Sequence, residues 1–307
     1  MAKTENYLHT INCPVCGGNN GRKLYSVSHN KSSVLELLQL NIESEAADIL
    51  VCKICSHKYM NPVINFELMV RYYSILNSEF HHNSKKPKDN HNYKEYKEYG
   101  TIIKALKNTG KVLEIGCGTG YLLKALEKLG YDCYGVEPSP MAYNHAKNKL
   151  GLNVENEFLA ASSFYSQKFD VIILMDVVEH ITNMQIFMQE ITSVLNEGGI
   201  IFIGTGNSDS LNAKIAGPNW GYFLSWEHVS FFNKESMKYL LQKNNFKNIK
   251  IKKTSLQHKP LQNLWEFFIK NMVKKLVNPF LKIKYYHGIS YDHFIVTATY
   301  KSTKILS

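Results

Sequence analysis

The sequence predicts an α/β protein in which a doubly wound parallel sheet follows a small metal-binding unit. From residue 101 onwards, apolar segments typical of buried strands alternate with helical segments of about 10 to 15 residues. This alternation is typical of parallel sheets whose strands are joined by helices. A glycine-rich turn follows the first of these strands, and two CxxC pairs lie near the N-terminus. These features predict a sheet domain preceded by a cysteine ribbon.

The chain has 307 residues, which is enough for one large domain and one small one. We assign residues 1–62 to the ribbon, 63–100 to an aromatic segment followed by a polar linker, and 101–307 to the sheet domain. The ribbon and the sheet are expected to have separate cores. The sequence shows neither a secretory h-region nor an apolar stretch long enough to span a bilayer, which predicts a cytoplasmic location.

The formal net charge of +10 raises the question of an anionic partner. Of the 36 basic residues, all but Arg22 and Arg71 are lysines. Arginine is the side chain best suited to bidentate contacts with phosphate and guanine. The composition therefore argues against a nucleic-acid partner without excluding one.

The two CxxC pairs predict a zinc site, because paired cysteines in a chain without a signal peptide are typical of metal binding. Four thiolates complete the tetrahedral coordination of a zinc ion and leave no coordination position for water, so this zinc is expected to be structural. The ligands would be Cys13, Cys16, Cys52 and Cys55. A redox-active dithiol is the alternative. Cys117 and Cys133 are interpreted as packing residues.

The segment at 112–120, VLEIGCGTG, carries the strongest signal for ligand binding. Glycines after a first strand let the backbone approach a ligand closely at a helix N-terminus. Glu137 ends the next predicted strand, where a carboxylate can accept hydrogen bonds from both hydroxyls of a ribose. Here the sequence resembles the class I S-adenosylmethionine-dependent methyltransferases, whose first motif has the form hhExGxGxG.

That resemblance implies a seven-stranded Rossmann-like sheet with an antiparallel last strand, and S-adenosylmethionine as the cofactor. By the same resemblance, Glu114 would approach the methionine amino group and Glu137 would hold the ribose. The remaining implied cofactor residues are Gly116, Gly118, Gly120, Tyr121 and Asp176. The acidic residue that the family places against adenine has only approximate matches, at residues 156–158.

A second segment, GPNWGYFLSWEHVSFF, lies after the fifth predicted strand of the sheet. With the CxxC pairs, it resembles the zinc-containing deoxysugar C-methyltransferases, although those enzymes carry a further C-terminal domain. The resemblance implies that His228 is the general base, that Glu227 contacts a substrate hydroxyl, and that Tyr222 and Tyr72 are polar partners at the pocket. A structural histidine is the alternative for His228. His180, in a Glu-His pair after the fourth strand, is a further pocket candidate.

We therefore expect methyl transfer from S-adenosylmethionine to carbon or oxygen of a sugar-like small molecule, such as a nucleotide-linked sugar, in polysaccharide or glycoside biosynthesis. The segment after the fourth strand, MDVVEHI, lacks the Asn/Asp-Pro-Pro-aromatic motif typical of amino-group methylation. The alternatives are an RNA methyltransferase whose ribbon and lysines bind RNA, and a non-catalytic module that retains the cofactor fold. An amphipathic stretch near 261–284 carries lysines on one face and predicts packing on the domain, on an anionic membrane surface or on a protein partner.

Overall fold

The computed structural model describes residues 7–28, 33–39, 46–75, 91–254 and 292–302. The predicted amphipathic stretch at 261–284 and the linker histidines His81 and His82 lie outside these residues. None of the described helices is long and apolar enough to cross a lipid bilayer.

The N-terminal unit contains a small antiparallel sheet and two helices. Its described elements are β1 (Leu8–His9), β2 (Gly21–Ser28), α1 (Ser33–Leu38), β3 (Ala46–Cys52), β4 (Lys58–Asn61), β5 (Val63–Ile64) and α2 (Phe66–Ile75). β3 pairs with both β2 and β4. The unit continues past the predicted boundary at residue 62, because β5 returns to pair with β1 and α2 packs Tyr72 into the core.

The larger unit is a sheet of seven strands with helices on both faces. Its strands are β6 (Lys111–Ile115), β7 (Asp132–Val136), β8 (Asn153–Glu155), β9 (Phe169–Met175), β10 (Leu195–Gly206), β12 (Phe246–Thr254) and β13 (His293–Tyr300). The short β11 (Ser230–Phe231) belongs to the other sheet. The helices are α3 (His91–Leu106), α4 (Tyr121–Glu127), α5 (Pro140–Asn144), α6 (Met184–Val194), α7 (Leu211–Ala216) and α8 (Lys234–Lys243).

The strand order in the large sheet is β12-β13-β10-β9-β6-β7-β8. The strands from β6 to β10 pair in parallel, whereas β13 runs antiparallel to both β10 and β12. The predicted doubly wound sheet with an antiparallel last strand is confirmed. Because the chain moves outward from β6 to β8 and then returns to β9, the order switches direction between β6 and β9. In such sheets the crevice at the carboxyl ends of the strands is the usual ligand site.

The central strand β9 is buried along most of its length, because helices cover both faces of the sheet. Ile172 and Leu174 pack in one hydrophobic cluster with α6 and α8. Val171 and Ile173, on the opposite face, pack in another cluster with α3 and α4. Since side chains alternate between faces with a period of two, a continuously apolar strand is buried on both sides.

The expectation that the two units have separate cores is wrong. Cys13 and Cys52 of the N-terminal unit pack in the same hydrophobic cluster as Met237 of α8. β11 also extends the N-terminal sheet by pairing with β4, with Ser230 opposite Tyr59. This pairing cannot be predicted from the sequence, because a two-residue strand carries no detectable periodicity. The N-terminal unit is therefore joined to the segment that contains the predicted pocket residues.

Candidate functional site

The glycine turn lies directly after β6, at the switch point of the sheet. Gly116, Gly118 and Gly120 all have positive φ angles, of 70°, 53° and 82°. Gly120 combines a φ of 82° with a Cβ position 2.5 Å from the Leu152 side chain and 3.0 Å from the Cβ of Ala146, so a side chain here would strain the loop. At Gly118 a Cβ would meet nothing within 4 Å. The backbone at Gly118 therefore borders open space.

Glu137 follows β7 and is hydrogen-bonded to the glycine turn. Its two carboxylate oxygens accept hydrogen bonds from the backbone N–H groups of Gly118 and Ser139, each at 2.8 Å. Burial raises the pKa of this carboxyl, while the two N–H donors favour its charged form. Asn156 donates to the Glu137 carbonyl oxygen at 2.8 Å. The carboxylate is thus fixed in place and keeps lone pairs for a further donor.

Glu114 lies in β6 with only 3% of its surface exposed. Its Oε2 atom is buried and has no hydrogen-bond partner among the described residues. Burial, and secondarily the nearby Glu137, raises the pKa of this carboxyl well above its ordinary value. An unsatisfied buried carboxyl is costly, so this position suits a ligand that brings a donor or a positive charge.

Asp176 and Tyr121 border the same edge of the sheet. Asp176 follows β9, has a φ of 52° and is exposed. The surrounding protein still displaces part of its water and raises the pKa of its carboxyl, whereas His293 and His180 favour the charged form. Tyr121 begins α4 directly after the glycine turn, and its ring centroid is 5.4 Å from that of His145.

A cluster of acid–base groups lies next to Asp176. Ligand-capable side-chain atoms of Glu179, His180 and His228 lie within 4.8 Å of one another. Glu179 is buried and accepts a hydrogen bond from Thr205 at 2.9 Å. Burial, reinforced by the charge of Asp176, raises the pKa of Glu179 well above its ordinary value. The arrangement brings two imidazoles to the carboxyl edge of the sheet.

The position of the His228 ring is set by Tyr222. Its Nδ1 atom is 3.3 Å from the Tyr222 carbonyl oxygen, and the two rings stack with centroids 4.6 Å apart. Because a carbonyl oxygen can only accept, Nδ1 carries the proton, and in the neutral ring Nε2 keeps its lone pair. The backbone thus selects the tautomer in which Nε2 can take a proton.

Glu227 and His228 are adjacent in sequence but have different surroundings. The Glu227 side chain is only 6% exposed and accepts a hydrogen bond from the Tyr72 hydroxyl of α2. The Glu227 carbonyl oxygen is 3.0 Å from Nδ1 of His180, which also lies 3.0 Å from the Tyr73 hydroxyl. The Tyr72 hydroxyl thus contacts this segment through the carboxyl of Glu227, while its expected role as a polar partner at the pocket stays a prediction.

Sequence reasoning missed four polar residues at this edge: Glu179, Thr205, Asp292 and His293. Glu179 belongs to the Glu-His pair after the fourth strand, of which only His180 is a candidate from sequence. His293 begins β13, and the antiparallel register places it opposite Gly206 at the carboxyl end of β10. A lone histidine about 65 residues after the WEH segment carries no local signal. Only the strand register shows that the two belong to one site.

The four predicted zinc ligands converge. Sulfur atoms of all four cysteines lie within 4.8 Å of one another, with Cys13 to Cys55 at 3.5 Å and Cys16 to Cys52 at 3.4 Å. Sulfurs at the corners of a ZnS4 tetrahedron with 2.3 Å bonds would be about 3.8 Å apart. The donor set and its spacing therefore fit zinc.

The two CxxC turns have the same backbone pattern. Gly17 donates to the Cys13 carbonyl at 2.8 Å, and Ser56 donates to the Cys52 carbonyl at 3.0 Å. Both of these donors have positive φ, of 81° and 58°. Two turns with the same hydrogen-bond pattern that bring four thiols close together are the expected framework of a tetrathiolate metal site.

Comparisons with known proteins agree with this geometry. A family model described as a methyltransferase domain matches residues 82–251, which is more than half of the chain. A ubiquinone biosynthesis O-methyltransferase of Pelagibacter ubique is 35% identical over 130 residues, covering 40% of this chain and 52% of that protein. One of the same name from Azorhizobium caulinodans is 30% identical over 122 residues, covering 38% and 48%. The chain thus spans about half the length of these curated relatives.

Similarity to solved structures supports the fold. A chain of the complex between the Haloferax volcanii Trm112 methyltransferase activator and a methyltransferase aligns with a TM-score of 0.50 and 13% identity. The alignment covers 70% of this chain and 96% of that one. At this identity the likeness concerns the sheet architecture alone.

Proposed function

The chain belongs to the methyltransferase family whose domain model it matches, and on that basis we propose that it transfers a methyl group from S-adenosylmethionine to a hydroxyl oxygen of a small molecule. The observation that carries the proposal is that carboxyl groups suited to the cofactor and an imidazole suited to proton removal lie at the same edge of the sheet. The carboxyls of Glu114 and Glu137 flank the glycine turn, and the imidazole of His228 clusters with Glu179 and His180, which follow β9. The names of the relatives above favour oxygen over carbon.

The residues on β6 and β7 fit the cofactor. In this proposal Glu137, already fixed by two N–H donors, accepts hydrogen bonds from the ribose hydroxyls. Glu114, whose Oε2 has no described partner, receives the methionine amino group directly or through water. The open backbone at Gly118 allows close approach, and Gly116, Gly120, Tyr121 and Asp176 complete the lining.

The chemistry assigned to the protein is alignment and proton removal. S-adenosylmethionine, when bound, supplies an electrophilic methyl group, so the protein must hold an acceptor oxygen in line and take its proton. His228 is the proposed base, because its Nε2 keeps a lone pair while Nδ1 is held by the Tyr222 carbonyl. Tyr222 is the proposed polar contact of the acceptor. Glu227 is proposed to act mainly by holding Tyr72 and, through its carbonyl, His180.

A direct test is methyl transfer to a panel of acceptors. The protein is incubated with S-adenosylmethionine labelled with ¹³C in its methyl group, together with nucleotide-linked sugars with and without a 4-keto group, catechol, or RNA. The expected product carries a methoxyl carbon, which NMR distinguishes from a C-methyl or N-methyl carbon. A C-methylated sugar or a methylated RNA would contradict the proposed acceptor. Cofactor binding without turnover on any acceptor would favour a binding module.

Replacing Glu137 by alanine is expected to weaken S-adenosylmethionine binding by roughly 10- to 100-fold, because charge-assisted hydrogen bonds to the ribose would be lost. Calorimetry measures the dissociation constant. Glu137→Gln keeps one oxygen acceptor and should lose less affinity. Glu127→Ala, at an exposed pair with Lys124 on α4, is the matched control and should bind normally. Unchanged affinity in a folded Glu137→Ala protein would remove this carboxylate from the cofactor site.

We also propose that one zinc ion is held by Cys13, Cys16, Cys52 and Cys55 and that its role is structural. The support is the shared hydrogen-bond pattern of the two turns and the convergence of the four sulfurs. Four thiolates leave no open coordination position for a substrate.

A further inference from the structure

His145 lies against the glycine turn and has no part in the function proposed so far. The helix α5 continues as a π-helical turn, His145–Lys149, in which the Leu150 N–H donates to the His145 carbonyl, five residues earlier, at 3.2 Å. Single π turns within helices are rare and occur frequently at functional sites. The first two residues of this turn, His145 and Ala146, both contact the glycine turn.

The imidazole of His145 holds a carbonyl of the glycine turn. Its Nδ1 atom is 3.1 Å from the Thr119 carbonyl oxygen. Because a carbonyl oxygen can only accept, Nδ1 is the donor, and this assignment is the same for the neutral and the charged ring. The ring also packs beside Tyr121, with centroids 5.4 Å apart. The hydrogen bond therefore joins α5 to the turn between β6 and α4.

This bond fixes one peptide group at both ends. The Thr119 carbonyl accepts from His145, and the N–H of the same peptide, which belongs to Gly120, donates to the Cys117 carbonyl at 3.0 Å. Glycine adopts positive and negative φ with similar ease, so the backbone at Gly120 does not by itself select the observed φ of 82°. The two hydrogen bonds hold the peptide in that orientation.

The backbone N–H groups of the turn differ in whether the protein provides an acceptor. Four of them donate within the protein: those of Gly116, Cys117, Gly118 and Gly120. The N–H of Thr119 has no acceptor among the described residues, and Thr119 is half-buried. A backbone donor that is partly removed from water and lacks a protein acceptor suits an oxygen atom of a ligand.

We propose that His145 is a positioning residue of the cofactor site. By holding the Thr119–Gly120 peptide, it keeps the glycine turn in its binding shape before the cofactor arrives and leaves the Thr119 N–H to donate to an oxygen of the cofactor. The proposal rests on the proposed function, in which this turn holds S-adenosylmethionine. A turn that is already ordered costs less free energy to bind, so His145 raises affinity without contacting the cofactor.

The test measures binding of S-adenosylhomocysteine by calorimetry. His145→Ala is expected to weaken binding roughly 2- to 10-fold, the range of one hydrogen bond. His145→Asn keeps an N–H donor as far along the side chain as Nδ1 and should retain most of the affinity. His145→Gln places its amide one bond further out and should resemble His145→Ala. Lys147→Ala, at an exposed position of the same π turn, is the matched control and should bind normally.

Hydrogen exchange of the Thr119 amide, followed by NMR, supplies a second readout. Exchange should slow when S-adenosylhomocysteine binds to the wild type and should slow less in His145→Ala, while circular dichroism confirms that each variant is folded. Wild-type affinity in His145→Ala, equal losses in the Asn and Gln variants, or a Thr119 amide that the cofactor does not protect would overturn the proposal. The expected binding pattern without methyl transfer to any acceptor would support this role of His145 and count against the proposed function alone.

Discussion

Replacing His228 by alanine is expected to lower kcat by about 100- to 10,000-fold, the usual contribution of a general base. The dissociation constant of S-adenosylmethionine should barely change, because the imidazole clusters with Glu179 and His180, which follow β9, whereas the glycine turn follows β6. In the wild type the rate should rise with pH as the imidazole becomes neutral, since only the neutral ring can accept a proton. This rise should be absent in the variant. The measurement is a pH–rate profile with the acceptor found in the panel.

A second substitution, His228→Asn, removes the basic nitrogen but keeps a hydrogen bond to the Tyr222 carbonyl. Asparagine at 228 can still donate to the Tyr222 carbonyl, where Nδ1 now donates at 3.3 Å, but it has no basic nitrogen. His228→Asn should therefore be about as slow as His228→Ala. His9→Ala, at an exposed position of β1, serves as the control and should keep full activity. Substantial activity in His228→Asn would contradict a base at this position.

Other outcomes of these measurements would identify His180 as the group that takes the proton of the acceptor. His180 shares the cluster with His228, and its Nδ1 is 3.0 Å from both the Tyr73 hydroxyl and the Glu227 carbonyl. A modest rate loss in His228→Ala with a severe one in His180→Ala would make His180 the base. Activity that depends on an added divalent cation and is lost in Glu179→Gln would contradict acid–base chemistry by these imidazoles.

The sequence was sufficient to predict the large sheet, because its signals are local. Apolar runs such as FDVIILM, the glycines after β6 and the carboxylate after β7 each have a meaning within a few residues. The structure has Glu137 hydrogen-bonded to the glycine turn, as expected for residues at the ends of adjacent parallel strands. The convergence of the four cysteines was likewise predictable, since CxxC pairs are themselves the spacing typical of metal ligands.

The parts that sequence could not predict depend on contacts between distant segments. His293 reaches Tyr222 only through the register of β10 and β13, and β11 reaches β4 through a pairing of two residues. Residues that are adjacent in sequence also differ in their surroundings, because Glu227 is buried against α2 while His228 stacks on Tyr222. A motif names the candidate residues, whereas only the fold decides which of them meet.

Replacing Cys52 by serine is expected to remove the zinc and to lower the midpoint of thermal unfolding by roughly 10 °C or more. A structural zinc contributes folding free energy directly, and each kcal/mol lost from a domain of this size lowers the midpoint by about 2 to 4 °C. Metal analysis should find about one zinc per wild-type chain and almost none in the variant. Cys133→Ala, at a buried position in β7 and not in the cysteine cluster, is the matched control and should keep its zinc. Wild-type protein purified without chelators but free of zinc would contradict the metal site.

The effect of the same substitution on catalysis tests the joining of the two units. Cys52 shares a hydrophobic cluster with Met237, and β4 pairs with β11, which begins two residues after His228. Loss of the metal should therefore disturb the segment that contains His228 more than the glycine turn, which connects β6 to α4. We expect kcat to fall at least 10-fold in Cys52→Ser while the affinity for S-adenosylmethionine changes less. A zinc-free variant with normal kcat would mean that the pairing of β4 with β11 does not support the position of His228.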